Sequence, residues 1–346
     1  MDGLIAGLRE GRDLDDTQVA EAAARLLDPG EEDARKAELL EALARKGESP
    51  AEIAGFVRVF LKHAVDPGME GFRAAGPLLD VCGTGGDKLD LFNVSTTAMF
   101  VAAAAGAVVV KHGNRGITSK SGGADVLEAI GIPLDLPPEG FRRCLEQAGV
   151  GFLFAPSYHP AFKAVAPVRK QLAERGVRTL FNLIGPLMNP ARPECQLVGV
   201  SGPGLGPVFA DILARLGRRN AWVVQGLTAE GLPVDEVSLM GPTQVWPAGS
   251  GGEAFEIHPR DFGIGLCEVA ALKGGDAAYN ARLLEDILGG HERGPKRDMV
   301  LLNAAAAITC AGLAGDMAAA LDLARRLIDE GAALDRVERL RRAARG

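Results

Sequence analysis

From residue 78 onward the chain predicts an α/β fold, a sheet with helices on its faces, preceded by a purely helical segment. Three observations predict it. Short apolar runs of strand length alternate with stretches of helical periodicity through the last three quarters of the sequence. Residues 1 to about 66 carry helical patterns only, with no Gly-rich loop or strand run. Between the two regimes Pro67-Gly68 and Gly76-Pro77 punctuate the chain.

Leu4, Ile5 and Leu8 open an apolar helical face, and Thr17 is placed to cap a segment bearing Val19, Ala23, Leu26 and Leu27. Residues 33–46 set Leu39, Leu40 and Leu43 among charges. Ser49-Pro50 with Glu52 is a start signal for a helix ending near Ala64. Strands are predicted at 78–82, 107–110, 151–154, 196–200, 221–224 and 243–246, and helices at 96–105, 124–130, 138–148 and 205–216. The alanine-rich run 98–105 reads as a buried helix whose small side chains allow close packing. Residues 167–190 stand apart: Arg169, Lys170, Arg175 and Arg178 lead into a stretch from Phe181 to Pro190 that is helical and then loop-like.

Length and charge narrow the function. At 346 residues there is material for one large domain or two. A net charge of −7 gives no global electrostatic reason to bind nucleic acid or an anionic membrane, so a local basic site fits a small anionic ligand better. Cys82, Cys144, Cys195, Cys267 and Cys310 are scattered without metal-ligand spacing, as expected of reduced thiols in a cytosolic protein. No signal-peptide pattern opens the chain, and the longest apolar stretch, 98–110, is too short to span a bilayer; a cytoplasmic location is expected.

Chemistry concentrates in three places. Behind an apolar run, Asp80-Val-Cys-Gly-Thr-Gly-Gly-Asp87 is a loop in which glycines let backbone N–H groups close on an anion. Asn93-Val-Ser-Thr-Thr97 reads as a helix N-terminus capped by Asn or Ser, a second anion site. Two such cradles so close together suit a ligand with more than one phosphate. Downstream, Lys111-His-Gly-Asn-Arg115 and Gly116-Ile-Thr-Ser-Lys-Ser-Gly-Gly123 follow a strand-like run and interleave three cations with glycines, Asn and hydroxyls, as a phosphate-binding loop would. Taken alone, the acidic pair Asp235-Glu236 in a Gly/Pro-flanked loop reads as solvated surface, and a lone His159 among Pro156, Tyr158 and Pro160 as structural. No nucleophile–base pair suggests a covalent intermediate.

These motifs, with Ala124-Asp-Val-Leu-Glu128, Phe154-Ala-Pro-Ser-Tyr-His-Pro160, the run 178–190 and the run 297–303, occur in an order and spacing that resembles the anthranilate phosphoribosyltransferase family along nearly the whole chain. The resemblance implies a small helical domain, residues 1–73 with a returning segment at about 168–190, and a large α/β domain, 74–346, with a central mixed sheet flanked by helices in the nucleoside phosphorylase/phosphoribosyltransferase manner. The active site would lie in the cleft between them. It implies transfer of phosphoribosyl from 5-phosphoribosyl diphosphate to anthranilate in tryptophan biosynthesis, with Mg2+ as cofactor and a homodimer as the assembly. By the same resemblance Gly83, Gly86, Asp87, Asn93, Val94, Ser95, Thr96, Lys111, His112, Gly113, Asn114, Arg115, Gly116, Ile117, Thr118, Ser119 and Gly123 surround the substrates. Asn114, His159 and Arg169 lie near the aromatic acid, and Ser95, Asp235 and Glu236 hold metal.

Four positions depart from the family's usual pattern: Lys88 stands for Gly, Leu91 for Thr, Gly123 for Ser, and Leu232-Pro-Val234 precedes the acidic pair. Loss of two hydroxyls implies donor binding weaker by about tenfold to thirtyfold. Other acceptors on the same fold, a pyrimidine nucleoside phosphorylase, and a silent nucleic-acid-binding homologue remain alternatives. Retention of Asn114, His159 and Arg169 favours the aromatic acid, and the acidic net charge with Asp235-Glu236 disfavours the last.

Overall fold

The computed structural model describes residues 1–116, 120–249 and 252–346. Four helices open the chain: α1 (Asp2–Arg9), α2 (Asp16–Leu27), α3 (Asp33–Lys46) and α4 (Pro50–Lys62). Ser49 and Glu52 form the capping box that starts α4. At α2 the cap is Asp15, reciprocated by Gln18, and Thr17 lies inside the helix. Asp15 and Thr17 are both competent caps; the chain uses the one whose third neighbour can bond back.

The sheet follows. Its strands are β1 (Leu78–Gly83), β2 (Val108–Gly113), β3 (Val150–Phe154), β4 (Cys195–Gly199), β5 (Asn220–Leu227), β6 (Pro233–Val234), β7 (Thr243–Gly249) and β8 (Phe255–Ile257). The order is β3-β2-β1-β4-β5-β7-β8, with β6 also on β5. Strands β1 to β5 pair in parallel, and β6, β7 and β8 are antiparallel, which makes the sheet mixed. Helices between and after the strands are α5 (Val94–Ala104), α6 (Gly123–Ala129), α7 (Pro138–Ala148), α8 (Ala155–Tyr158), α9 (Ala166–Glu174), α10 (Leu205–Arg215), α11 (Ala277–Leu288), α12 (Pro295–Cys310), α13 (Met317–Asp329) and α14 (Ala332–Arg345).

Side chains alternate across the strands, and each face has its own core. Leu79, Val81, Cys195, Leu197 and Val224 join α5, α12, α13 and α14 on one side. On the other, Val198, Val200, Ala221 and Val223 share a cluster with α10, with α1–α4 and with Val165, Val168, Leu172, Leu180, Phe181, Ile184 and Leu187 of the returning stretch. The alanine-rich α5 is buried along nearly its whole length, as its composition predicts, and lies against the alanines of α12.

Strand order reverses between β1 and β4, so connections leave the two neighbours in opposite directions and open a crevice at their carboxyl ends. Both glycine-ended strands, β1 at Gly83 and β4 at Gly199, deliver the chain to that crevice.

Candidate active site

The Gly83–Asp87 loop leaves β1 at this switch point. Gly85 and Gly86 adopt φ of +70° and +87°, which favours glycine. The Thr84 N–H bonds the Gly199 carbonyl at 2.9 Å, tying the loop to β4. Asp235 reaches into the loop: its Oδ2 accepts the Gly85 N–H at 2.6 Å, and a Cβ on Gly83 would stand 2.4 Å from the same oxygen. Glu236 does likewise at the second cradle, where its Oε1 accepts the Ser95 N–H of the first turn of α5 at 3.2 Å. Each donor array that suits a phosphate oxygen therefore holds one carboxylate of the acidic pair. Asp235-Glu236, read alone as surface, lies in the crevice.

Burial, and after it the neighbouring Asp87 charge, raises the Asp235 pKa far above the usual carboxylate range; burial and then Asp235 raise Glu236 in the same way. Crowded carboxylates with hard oxygen donors fit a divalent cation such as Mg2+, which would relieve their repulsion. From α12, Asn303 clamps this loop, accepting the Val237 N–H and donating to the Val237 carbonyl, both at 2.9 Å.

Asn93 occupies the N-cap of α5 without capping by its side chain. It donates to the Ser121 carbonyl at 3.1 Å and accepts from Asn280 at 2.8 Å, joining α5 to the loop before α6 and to α11. Val94 gives its side chain to the core and its N–H to the Phe92 carbonyl, while Thr96 is buried one turn in. Gly123 begins α6 facing α5, where a Cβ would lie 2.9 Å from Thr96 Oγ1. Lys88, in place of the family's glycine, takes a left-handed φ of +60°.

The basic run is less open than its sequence suggests. β2 continues through Lys111, His112 and Gly113, beyond the apolar run that marks its start. Lys111 is buried, and its ammonium donates to the Val81 carbonyl and to Ser95 Oγ. Arg115 pairs with Glu128 and Asp125 of α6 and lies over the Phe154 ring. Two of the three expected loop cations are thus engaged within the protein: Lys111 by a strand carbonyl and a hydroxyl, Arg115 by carboxylates of the very next helix, while Lys120 is exposed. Asp125 also takes the Gly116 and Gly122 N–H groups at 2.8 Å, shaping the turn that carries Asn114. Ile117, Thr118 and Ser119 lie outside the described residues.

Toward the helical side, His112 and His159 meet Nε2 to Nε2 at 3.2 Å, and His159 Nε2 is 2.9 Å from the Met188 carbonyl. Burial holds both rings neutral, pushing His112 down to about 3 and His159 to about 4. His159 stacks on Phe162, and Phe162 meets Phe181 edge-on. Arg169 lies 5.0 Å over Phe181 and, among the described residues, has no ion-pair partner. A half-buried guanidinium seated on a ring and lacking a carboxylate is suited to one brought by a ligand.

Comparison with known proteins fits this geometry. Residues 75–334 match the a/b domain of a glycosyl transferase family, and residues 3–64 match that family's helical bundle domain. Anthranilate phosphoribosyltransferases of Chloroflexus aggregans and Roseiflexus castenholzii are 44% and 46% identical to the chain, covering 99% and 97% of it and 98% and 96% of their own lengths. The chain belongs to the anthranilate phosphoribosyltransferase family. A crystal structure of the Thermus thermophilus anthranilate phosphoribosyltransferase superposes with a TM-score of 0.89 at 40% identity, covering 99% of both chains. The Saccharomyces cerevisiae enzyme in complex with PRPP and Mg reaches 0.84 at 27% identity, covering 96% of this chain and 94% of its own.

Asp80, Asp125, Asn189, Asn280 and Asn303 also hold the site; all but Asn280 stand inside the motifs read from the sequence, yet sequence reasoning gave none of them a role. The signal for Asn303 was present, a lone amide in an otherwise apolar helix centre. Asp80 likewise stood as a carboxylate inside a strand run.

Proposed function

We propose that the protein transfers the phosphoribosyl group of 5-phosphoribosyl diphosphate to the amine of anthranilate, releasing diphosphate. The observation that carries this reading is the pairing of two anion cradles and an acidic pair at the sheet's switch point with an arginine, without an ion-pair partner among the described residues, on an aromatic cluster. C1′ exchanges its bond to diphosphate oxygen for one to the amine nitrogen, and the amine gives up a proton. The Gly83–Asp87 loop and the start of α5 would bind phosphate oxygens through backbone N–H groups. Ser95, Asp235 and Glu236 would hold Mg2+, which when bound neutralises leaving-group charge. The remaining family-matched residues, including Asn114, would line the crevice, and Arg169 would take the carboxylate of the aromatic acid in a bidentate fork. His159 is read as a wall of the acceptor site.

Loss of anthranilate fluorescence on mixing protein, Mg2+ and 5-phosphoribosyl diphosphate tests the reading, with Asp235→Asn/Glu236→Gln as the control. Turnover needing all components, and reduced by two or more orders of magnitude in the control, is expected. Donor binding by calorimetry without anthranilate consumption would mean a different acceptor. The family's homodimer is expected here as well. Among the described residues no helix is long and apolar enough to cross a membrane.

A further inference from the structure

Beneath the crevice four buried polar side chains close a ring. Asp80 Oδ2 accepts from Asn189 Nδ2 at 3.0 Å, and its Oδ1 accepts the His112 N–H at 3.4 Å. His112 meets His159, which meets the carbonyl of Met188, the residue before Asn189. Asn189 Nδ2 donates also to the Val110 carbonyl at 2.6 Å, and its Oδ1 accepts the Ala191 N–H at 3.0 Å. Both Asp80 and Asn189 are 0% exposed, so neither can touch a substrate.

A buried carboxylate is costly, and a strand position between apolar neighbours is cheaper to fill with an apolar residue. What Asp80 gains is reach. It lies on β1, grips the backbone of β2 at His112, and grips the returning stretch at Asn189. That stretch carries Met188, the partner of His159, and Phe181, the seat of Arg169. Among the described residues, neither the Asp80 nor the Asn189 side chain bonds the Gly83–Asp87 loop or the start of α5, and the one contact with the basic run is the His112 N–H.

We infer that Asp80 and Asn189 are positioning residues for the acceptor: they pin the returning stretch to β2, so that His112, His159 and Arg169 face the aromatic acid in one fixed arrangement. This rests on the acceptor reading of that end of the crevice.

Asp80→Asn keeps the shape and places an amide N–H where an acceptor is needed; Asn189→Ala removes the other half of the contact. With each variant, KM for anthranilate should rise about tenfold, while the calorimetric dissociation constant for 5-phosphoribosyl diphosphate changes less than about twofold. The double variant should be little worse than the poorer single one, as for groups acting as a unit. Unchanged acceptor KM in a folded variant, or equal losses for donor and acceptor, overturns the proposal. If Asn189→Ala fails to fold, the isosteric Asp80→Asn decides alone. An inactive wild-type protein would instead sink the functional reading itself, and the acceptor role with it.

Discussion

Neutral histidines at the heart of the site make its stability pH-dependent in a defined direction. Unfolded, His112 and His159 take a proton near 6.5; folded, burial delays this to about 3 and about 4. Below 6.5 the two imidazoles bind more protons in the unfolded chain, so the stability they contribute is full above that value and is lost as pH drops toward 4, while the raised Asp235 and Glu236 act in the opposite sense. His159 alone should account for about 2–3 kcal/mol by pH 4. Urea unfolding of wild type and His159→Asn across pH 4 to 7 measures this; a variant slope as steep as wild type would refute it. At this scale the sequence was a partial guide. It marked Arg169 and His159 as candidates, but it could not show that Lys111 lies beneath the loop or that Arg115 is spent on α6. Those outcomes depend on which partner comes nearest in space.

Among the elements, β4 matters to the site through what it lacks. A Cβ on Gly199 would stand 1.6 Å from the backbone carbonyl of Asp235, so the acidic loop lies directly on the strand end. Gly199→Ala must push that loop outward, costing about 1–3 kcal/mol of stability and displacing both carboxylates. Mg2+-dependent donor binding by calorimetry should fall at least tenfold; retention of wild-type affinity would show that the loop can move without loss. Most elements were legible. The α7 and α3 bounds follow from helical periodicity, and the six longer strands from apolar runs. The short β6 and β8 were not, since two or three residues with mixed polarity give no period to read. Nor was the full length of β2, whose polar end is satisfied by distant groups, the Val81 carbonyl and Asp80.

For the molecule as a whole, one apolar cluster joins α1–α4 and the returning stretch to a face of the sheet and α10. Lys36, buried at 1%, adds a polar link by donating to the Ala164 carbonyl at 2.9 Å. Shared burial of this kind predicts a single calorimetric transition, with the segment before the sheet melting together with it. Two resolved endotherms would contradict that. The division of the chain into a helical opening and an α/β remainder was visible from residue patterning and its Pro/Gly punctuation; the shared core was not, because residues 165–188 show only local pattern and their packing partners lie far away in sequence. The carboxylates seated in the phosphate cradles bear on any affinity measured for this protein. On the proposed reading, incoming phosphate oxygens would take the Gly85 and Ser95 N–H groups that Asp235 and Glu236 now hold, so a dissociation constant would include the work of freeing them. Mg2+ held by those carboxylates would share that work, so constants obtained at different magnesium activities would describe different reactions.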